Sequence, residues 1–567
     1  MRAPRSRSKF RANRARVGMF SRSACRAWNA LLSSIWRRRR SMKQAWWKER
    51  VFYQIYPRSF LDTNDDGVGD LRGIIEKLDY LKSLGIGAIW LCPVYDSPND
   101  DNGYDIRDYE NIMAEFGTMA DFDALLEGLH ARDIKLVMDL VVNHSSDEHA
   151  WFNESRKAKD NPYRDYYIWR DGKDGNIPNN WASFFAPSAW KLDETTGQYY
   201  LHLFSEKQPD LNWENPVLRE EVYAMVNRWF DRGVDGFRMD VINCIAKDEG
   251  LPDGSGSPNA AGCYAGRDCL CLGEAPFTSP EEGAKMLDEE TGIFDMIFPF
   301  DLMEIDDGPN GKYDPVPWTL AKFKQIVNRW QTAAEHGWGS LFWSNHDQAR
   351  AVSRFGCTDT EELRVRSAKM LAAAMHLLRG TPFVYQGEEL GMTNTPFPDA
   401  SAIRDIEGIN ALNEARISGR YDQIWKGILH KGRDHARTPM KWNASANAGF
   451  TTGEPWIMVN PNYVSINAAA EENDSDSVLN FYRKLIAIRN SSRTLQYGAY
   501  RPLCTEHTQL FAYERELDGE TFMIVCNMSG ERVSLPEELH GQVVLSNCEH
   551  TEVGVFAPYE ARVLRKI

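Results

Sequence analysis

The chain has no run of about 18 apolar residues, so no segment has the length and hydropathy of a membrane-spanning helix. Cysteine is scarce, ten in 567 residues. The ten show neither the repeated spacing of a disulfide framework nor the paired C-x₂-C pattern of a zinc site. Cys263, Cys269 and Cys271 fit no ligand set. Reduced thiols in a cytoplasmic compartment are therefore expected. There is no basic excess to hold nucleic acid: the formal net charge is −15. No internal repeat or long low-complexity tract occurs after residue 41. A hydrophobic share of 43% with 26% charged residues excludes disordered and fibrous classes. These absences leave a soluble globular protein, expected to be a monomer with no nucleic-acid, membrane or organic-cofactor partner.

Positive charge is concentrated at one end. Residues 1–41 carry twelve Arg and Lys9 but no acid. They read as an unstructured basic extension, ahead of a natural start at Met42. A transit peptide is the other reading of an Arg-rich, acid-free segment. The remainder is correspondingly more acidic, which suits a neutral or cationic ligand.

From Val51 onward short β-type runs alternate with amphipathic helices. Strands are expected at Val51–Ile55, Ala88–Leu91, Lys135–Leu140, Gly236–Met239, Cys269–Leu272, Met296–Phe298, Leu341–Trp343 and Pro382–Tyr385. Helices are expected at Asp70–Leu84, Met119–Arg132, Pro216–Arg232 and Val478–Arg489. Eight strands separated by helices predict an α/β fold, a closed (β/α)₈ TIM barrel. Two tracts interrupt the rhythm. Residues 145–212, rich in Trp, Tyr, Asn and Pro, read as a small inserted domain after strand 3, and Thr395–Ile466 reads as an irregular insertion. Past residue 495 apolar and polar residues alternate, as in a C-terminal antiparallel β domain. The expected division is 42–144 with 213–495 for the barrel, 145–212 for the insertion and 496–567 for the β domain.

Barrel chemistry sits at the C-terminal ends of the strands. There the sequence places Asp139, Asn143 and His144, then Arg238 and Asp240, then Glu274, then His346 and Asp347. One strand-end carboxylate can be a cap; several with two His and an Arg point to acid–base chemistry. Paired carboxylates suggest glycoside hydrolysis, one attacking the anomeric carbon while the other protonates the leaving oxygen. Arg238 lies two residues before Asp240, on the same side of the strand, where a cation favours the ionised carboxylate.

The runs VFYQIYPRSF, DTNDDGVGDLRGI, NGYDIRDYE, MDLVVNHSSDEHAWF, QPDLNWENP, GFRMDVIN, FWSNHDQ, GTPFVYQGEE and GRDHARTPMKW follow one another in order. With them the chain resembles the α-amylase superfamily (glycoside hydrolase family 13), within it the oligo-1,6-glucosidase and dextran glucosidase group. The resemblance implies a retaining, exo-acting α-glucosidase that cleaves α-1,6 bonds at the non-reducing end of isomalto-oligosaccharides. It makes Asp240 the nucleophile, Glu274 the acid/base and Asp347 a third carboxylate holding sugar hydroxyls. His144 and His346 match glucose-contacting histidines, Tyr104 and Phe185 pocket walls, and Asp105 with Arg433 a pair that closes the far end of the pocket. Val241, after the nucleophile, accompanies α-1,6 preference in the resembled group. The stretch Leu302–Gly308 contains no Arg, which counts against sucrose isomerisation. Trehalose-6-phosphate hydrolysis and α-1,4-glucosidase activity are the alternatives.

Asp62, Asn64, Asp66, Val68 and Asp70 offer oxygen donors at alternate positions, like the start of an EF-hand loop. Gly73 stands where an EF-hand has its Glu, and the resemblance implies one structural Ca²⁺ here. The tract 241–268 departs from the family. It carries Gly250, Gly254, Gly256, Gly262, Gly266, Pro252 and Pro258, and only Val241–Lys247 could begin a crossover helix. A shortened crossover would hold Glu274 poorly, leaving a catalytically impaired sugar-binding protein as a further alternative.

Overall fold

Residues 44–253, 270–548 and 554–566 are described by the computed structural model of the chain. Eight short strands form the central sheet: β1 (Phe52–Ile55), β2 (Ala88–Leu91), β3 (Lys135–Leu140), β4 (Gly236–Met239), β5 (Leu270–Glu274), β6 (Met296–Phe298), β7 (Ser340–Leu341) and β8 (Thr381–Tyr385). They are buried along nearly their whole length, as parallel strands covered on both faces must be. All neighbours pair parallel, in the order β6-β5-β4-β3-β2-β1-β8-β7. That is sequence order around a ring, the (β/α)₈ arrangement. Between β6 and β7 the ring is bridged by the Ser340 hydroxyl, which donates to the Ile297 carbonyl at 2.7 Å.

The helix expected over Asp70–Leu84 is divided at Lys77 into α1 (Leu71–Glu76) and α2 (Leu78–Leu84). Asp70 is the N-cap of α1, accepting from the Gly73 amide at 2.7 Å. Helix α3 (Met119–Ala131) starts on a reciprocal Thr118–Asp121 capping box. Helix α4 (Pro216–Arg232) starts on Asn215 and stops at Gly233, whose φ of +117° lets the chain turn back into β4.

The chain leaves the barrel at His144 and returns at Asp210, and these two residues form an isolated antiparallel bridge. Between them Trp169–Arg170, Trp190–Asp193 and Gln198–Leu201 make a three-stranded antiparallel sheet with the last strand in the middle. At the C-terminal end β9 (Ala499–Leu503), β10 (Leu510–Leu517), β11 (Glu520–Asn527), β12 (Gln542–Ser546) and β13 (Ala561–Arg565) form an antiparallel sheet ordered β9-β10-β11-β13-β12. Arg515 of β10 is fully buried and donates to the carbonyls of Leu377, Leu495, Gln496 and Gly498, fastening this sheet to the barrel.

The stretch expected to be irregular, Thr395–Ile466, contains α5 (Ile406–Ser418) and α6 (Tyr421–Lys431). Helix α5 buries only Gly408, Leu412 and Ala415 and leaves Ile417 in solvent, so its sequence shows little periodicity. The seam between α5 and α6 is built from Leu412, Ala415, Ile424 and Ile428. After β4 the chain makes one 3₁₀ turn, Ile242–Cys244. Residues 254–269, most of the tract read as a missing crossover, lie outside the described residues. Strand β5 nonetheless pairs on both sides, Leu272 opposite Arg238 of β4 and Glu274 opposite Phe298 of β6. Backbone pairing therefore fixes Glu274, contrary to the expectation that a short crossover leaves it loose.

Candidate active site

Register brings the first group of residues together. Asp139 on β3 is the Cα partner of Arg238 on β4, and Leu272 on β5 the next partner along. Asp139 and Arg238 thus share one inward-facing layer, with Asp240 and Glu274 two residues further on. Arg238 is 1% exposed, and its guanidinium lies 4.9 Å from the Trp90 ring centroid. Its Nη1 reaches Asp139 Oδ1 at 2.5 Å and Asp240 Oδ1 at 2.8 Å, and its Nη2 reaches Glu274 Oε2 at 2.7 Å. The same Glu274 Oε2 accepts from the Val241 amide at 3.1 Å. Val241 has φ +34°, a left-handed backbone that is strained for a β-branched residue. Burial pushes the Asp240 carboxyl well above the ordinary range; Arg238 pulls it back, while Glu274, Asp139 and Asp347 add to the rise. Three carboxylates around one cation carry more negative charge than the cation offsets, and this surplus adds to the burial that raises Asp240.

The second group lies after β7. His346 Nε2 is 3.0 Å from Asp347 Oδ2, and its Nδ1 is 2.9 Å from the Gln54 side-chain nitrogen. The imidazole is stacked between Tyr104 (centroids 5.0 Å, planes 4° apart) and Tyr56 (6.1 Å, 13°). Asp347 Oδ1 takes Arg433 Nη1 at 3.1 Å and Arg437 Nη2 at 2.9 Å. Arg433 also pairs with Asp405 at 2.5 Å and Asp101 at 3.2 Å. Burial works against ionised Asp347, but His346, Arg433 and Arg437 outweigh it and hold the carboxyl well below its usual range. Burial likewise opposes charge on His346, yet Asp347 and Cys92 beside it raise the ring to about 10.

Between the groups stand the remaining expected residues. The Tyr104 hydroxyl donates to Asp139 Oδ2 at 3.0 Å. His144 Nε2 is 3.0 Å from the Tyr104 carbonyl, and burial lowers this histidine to about 4, so it is neutral. The Phe185 ring lies 5.1 Å from the Arg433 guanidinium, and its carbonyl accepts from Asn410 of α5 at 2.9 Å.

One expected pairing is not formed. Arg433 meets Asp101, whereas Asp105 sits behind it, accepting from the amides of Asp100 (2.8 Å) and Asp101 (3.0 Å) and from the Ser97 hydroxyl (3.0 Å). Three local donors occupy the Asp105 carboxyl, and burial pushes it up to about 7, so it shapes the turn that presents Asp101. Asp101, Asp405 and Arg437 are site residues that the sequence reading missed. Arg437 lies in the same GRDHARTPMKW run as Arg433 and could have been found there; Asp405 stands in the tract taken as irregular.

The Asp62–Asp70 loop keeps its donors to itself. Asp62 accepts from the amides of Asn64 (2.9 Å), Asp65 (2.9 Å) and Gly67 (2.8 Å) and from the Thr451 hydroxyl (2.5 Å). Asp66 accepts from the Val68 amide at 2.9 Å, and Asp70 caps α1 and binds Thr63. Among the described residues no three His, Cys, Asp or Glu side chains converge on one point, so a cation in this loop would rely on Asn64 and the Val68 carbonyl beside the carboxylates.

Comparison with known proteins agrees with the barrel. The family profile described as alpha amylase, catalytic domain, matches residues 54–498. An oligo-1,6-glucosidase of Halalkalibacterium halodurans is 51% identical, covering 92% of this chain and 99% of its own length. A trehalose-6-phosphate hydrolase of Bacillus subtilis is 45% identical, covering 92% and 98%. The solved structure of a trehalulose synthase from Pseudomonas mesoacidophila MX-45 superposes with TM-score 0.87 at 44% identity, covering 92% of this chain and 99% of that one.

Proposed function

The chain belongs to the alpha-amylase family of glycoside hydrolases, and from that premise we propose a retaining, exo-acting α-glucosidase that cuts α-1,6 bonds at the non-reducing end of isomalto-oligosaccharides. One observation carries the mechanism: Asp240 and Glu274 bind neighbouring nitrogens of a single guanidinium. Carboxylates sharing one guanidinium are close neighbours, which supports the short separation of a retaining pair over the wider one of an inverting pair. Asp240 attacks the anomeric carbon while Glu274 gives its proton to the leaving oxygen. Water then enters, Glu274 takes its proton, and the oxygen displaces Asp240 with net retention. Asp347 and the neutral His144 hold the glucose hydroxyls. The resemblance assigns Arg433 to the closed end of the pocket, and its pairing with Asp101 supports attack from the chain end only.

The α-1,6 preference rests on Val241 and on the named activity of the glucosidase relatives. The absence of Arg between Leu302 and Gly308 favours hydrolysis over isomerisation. Product release from isomaltose, maltose, trehalose 6-phosphate and sucrose, measured side by side, tests the reading; glucose from isomaltose at the highest kcat/KM is expected, and a faster reaction on any other overturns it.

A structural calcium in the Asp62–Asp70 loop is part of the same proposal. The all-oxygen donor set Asp62, Asn64, Asp66, Val68 and Asp70 suits a hard cation, though the loop's own amides now engage those carboxylates. Chelation should lower the melting temperature by about 2–5 °C without moving the pH–rate profile; no bound calcium at saturating supply rules it out. A monomer in the cytoplasm fits the seven free cysteines among the described residues, and no described helix is long and apolar enough to cross a membrane.

A further inference from the structure

Three residues past Glu274, Phe277 has φ +63° and is 54% exposed. Left-handed backbone suits glycine, and a bulky residue held there is an outlier that invites a functional reading. The Phe277 ring is not spent on the core. It lies parallel to Phe184 of the inserted segment, with centroids 5.8 Å and planes 5° apart, and Phe184 is itself 43% exposed. Phe184 stacks on Phe204 at 4.9 Å, and Phe204 is 5.2 Å from the His144 ring. A row of aromatic faces therefore runs from solvent to a sugar-contacting histidine. Both ends are anchored: Asn243, next to the nucleophile turn, donates to the Pro276 carbonyl, and the Phe184 amide donates to the Leu203 carbonyl at 2.7 Å.

Glucose seated between Asp240 and the Arg433 group must direct its leaving oxygen toward Glu274. The departing group then emerges beside the loop that carries Phe277. We propose that Phe277, with Phe184, forms a platform for the leaving group, taking the flat C–H face of the departing sugar and favouring a glucosyl leaving group over one without a face. This rests on the glucosidase reading above.

The test compares isomaltose with α-glucosyl fluoride, whose leaving atom has no face. In Phe277→Gly the ratio of kcat/KM for isomaltose to that for the fluoride should fall about tenfold. The melting temperature should hold or rise, because glycine is at ease at this backbone angle. Phe184→Ala should lower the ratio in the same direction, and Phe277→Tyr should keep it within about twofold. An unchanged ratio in Phe277→Gly overturns the platform, as does an equal loss on both substrates with a lowered melting temperature, which marks a structural brace. Wild-type protein that cleaves neither substrate overturns the glucosidase reading, and the platform with it; wild-type turnover of the fluoride with no shift in the ratio overturns the platform alone.

Discussion

Two ionic clusters face each other across the pocket, and they are balanced differently. Around Arg238 three carboxylates, Asp139, Asp240 and Glu274, share one guanidinium. Around Asp347 the carboxylates Asp347, Asp405, Asp101 and Glu407 meet Arg433, Arg437, His346 and Lys312. The first cluster has surplus negative charge in a buried place, which raises Asp240; the second is balanced, and its cations hold Asp347 ionised. Surplus charge makes a group that can take and give a proton during turnover, whereas balance makes a rigid, permanently charged surface for sugar hydroxyls.

Removing the surplus should have the largest effect. Asp240→Asn should lower kcat by at least about a thousandfold, because no other described carboxylate replaces the nucleophile. Its melting temperature should hold or rise, since burial raises the native carboxyl and its ionised form is costly at neutral pH. Retention of more than a tenth of the activity would take the role from Asp240. A smaller change on the same side is Val241→Thr, which adds a hydroxyl where the strained backbone serves Glu274. The maltose-to-isomaltose ratio of kcat/KM should rise about tenfold; an unchanged ratio places linkage selection elsewhere.

The balanced cluster is probed by pH. His346 is raised to about 10, from an unfolded value of about 6.5. Its charge therefore contributes stability that is fully present below the unfolded value and is lost as pH rises through the folded one. Depressed Asp347 does the reverse: its contribution is present above the usual carboxylate range and disappears as pH falls through its lowered value. Wild type should melt above His346→Gln by about 2–5 °C near pH 6, and the gap should close towards pH 10. A gap that stays constant over that window would mean that the ring packs but does not charge.

Legibility followed sequence distance. Arg238 and Asp240 are two residues apart on one strand, and His346 and Asp347 are adjacent, so local pattern was enough to place them together. The Arg433–Asp101 pair spans 332 residues, and no local pattern reports a contact of that length. The tract Thr395–Ile466 reads as irregular because the apolar residues of α5 are scattered around the helix, Ile409 and Ile417 facing solvent, and only Gly408, Leu412 and Ala415 are buried. The split at Lys77 and the 3₁₀ turn after Asp240 were likewise invisible, since each depends on which carbonyl a single amide finds.

By itself the sequence determined the alternation of strands and helices, the barrel that follows from it, and the strand-end residues that carry charge. Those properties are local: side-chain period, caps, and the rule that parallel strands need crossovers. Only the tertiary structure decided how many carboxylates share each cation, and that count separates a cluster with surplus negative charge from a balanced one. It also decided that Asp101 meets Arg433 while Asp105 supports the turn behind it. Electrostatic balance is summed over whatever lies within a few ångströms, and in a closed barrel those neighbours come from strands and loops hundreds of residues apart.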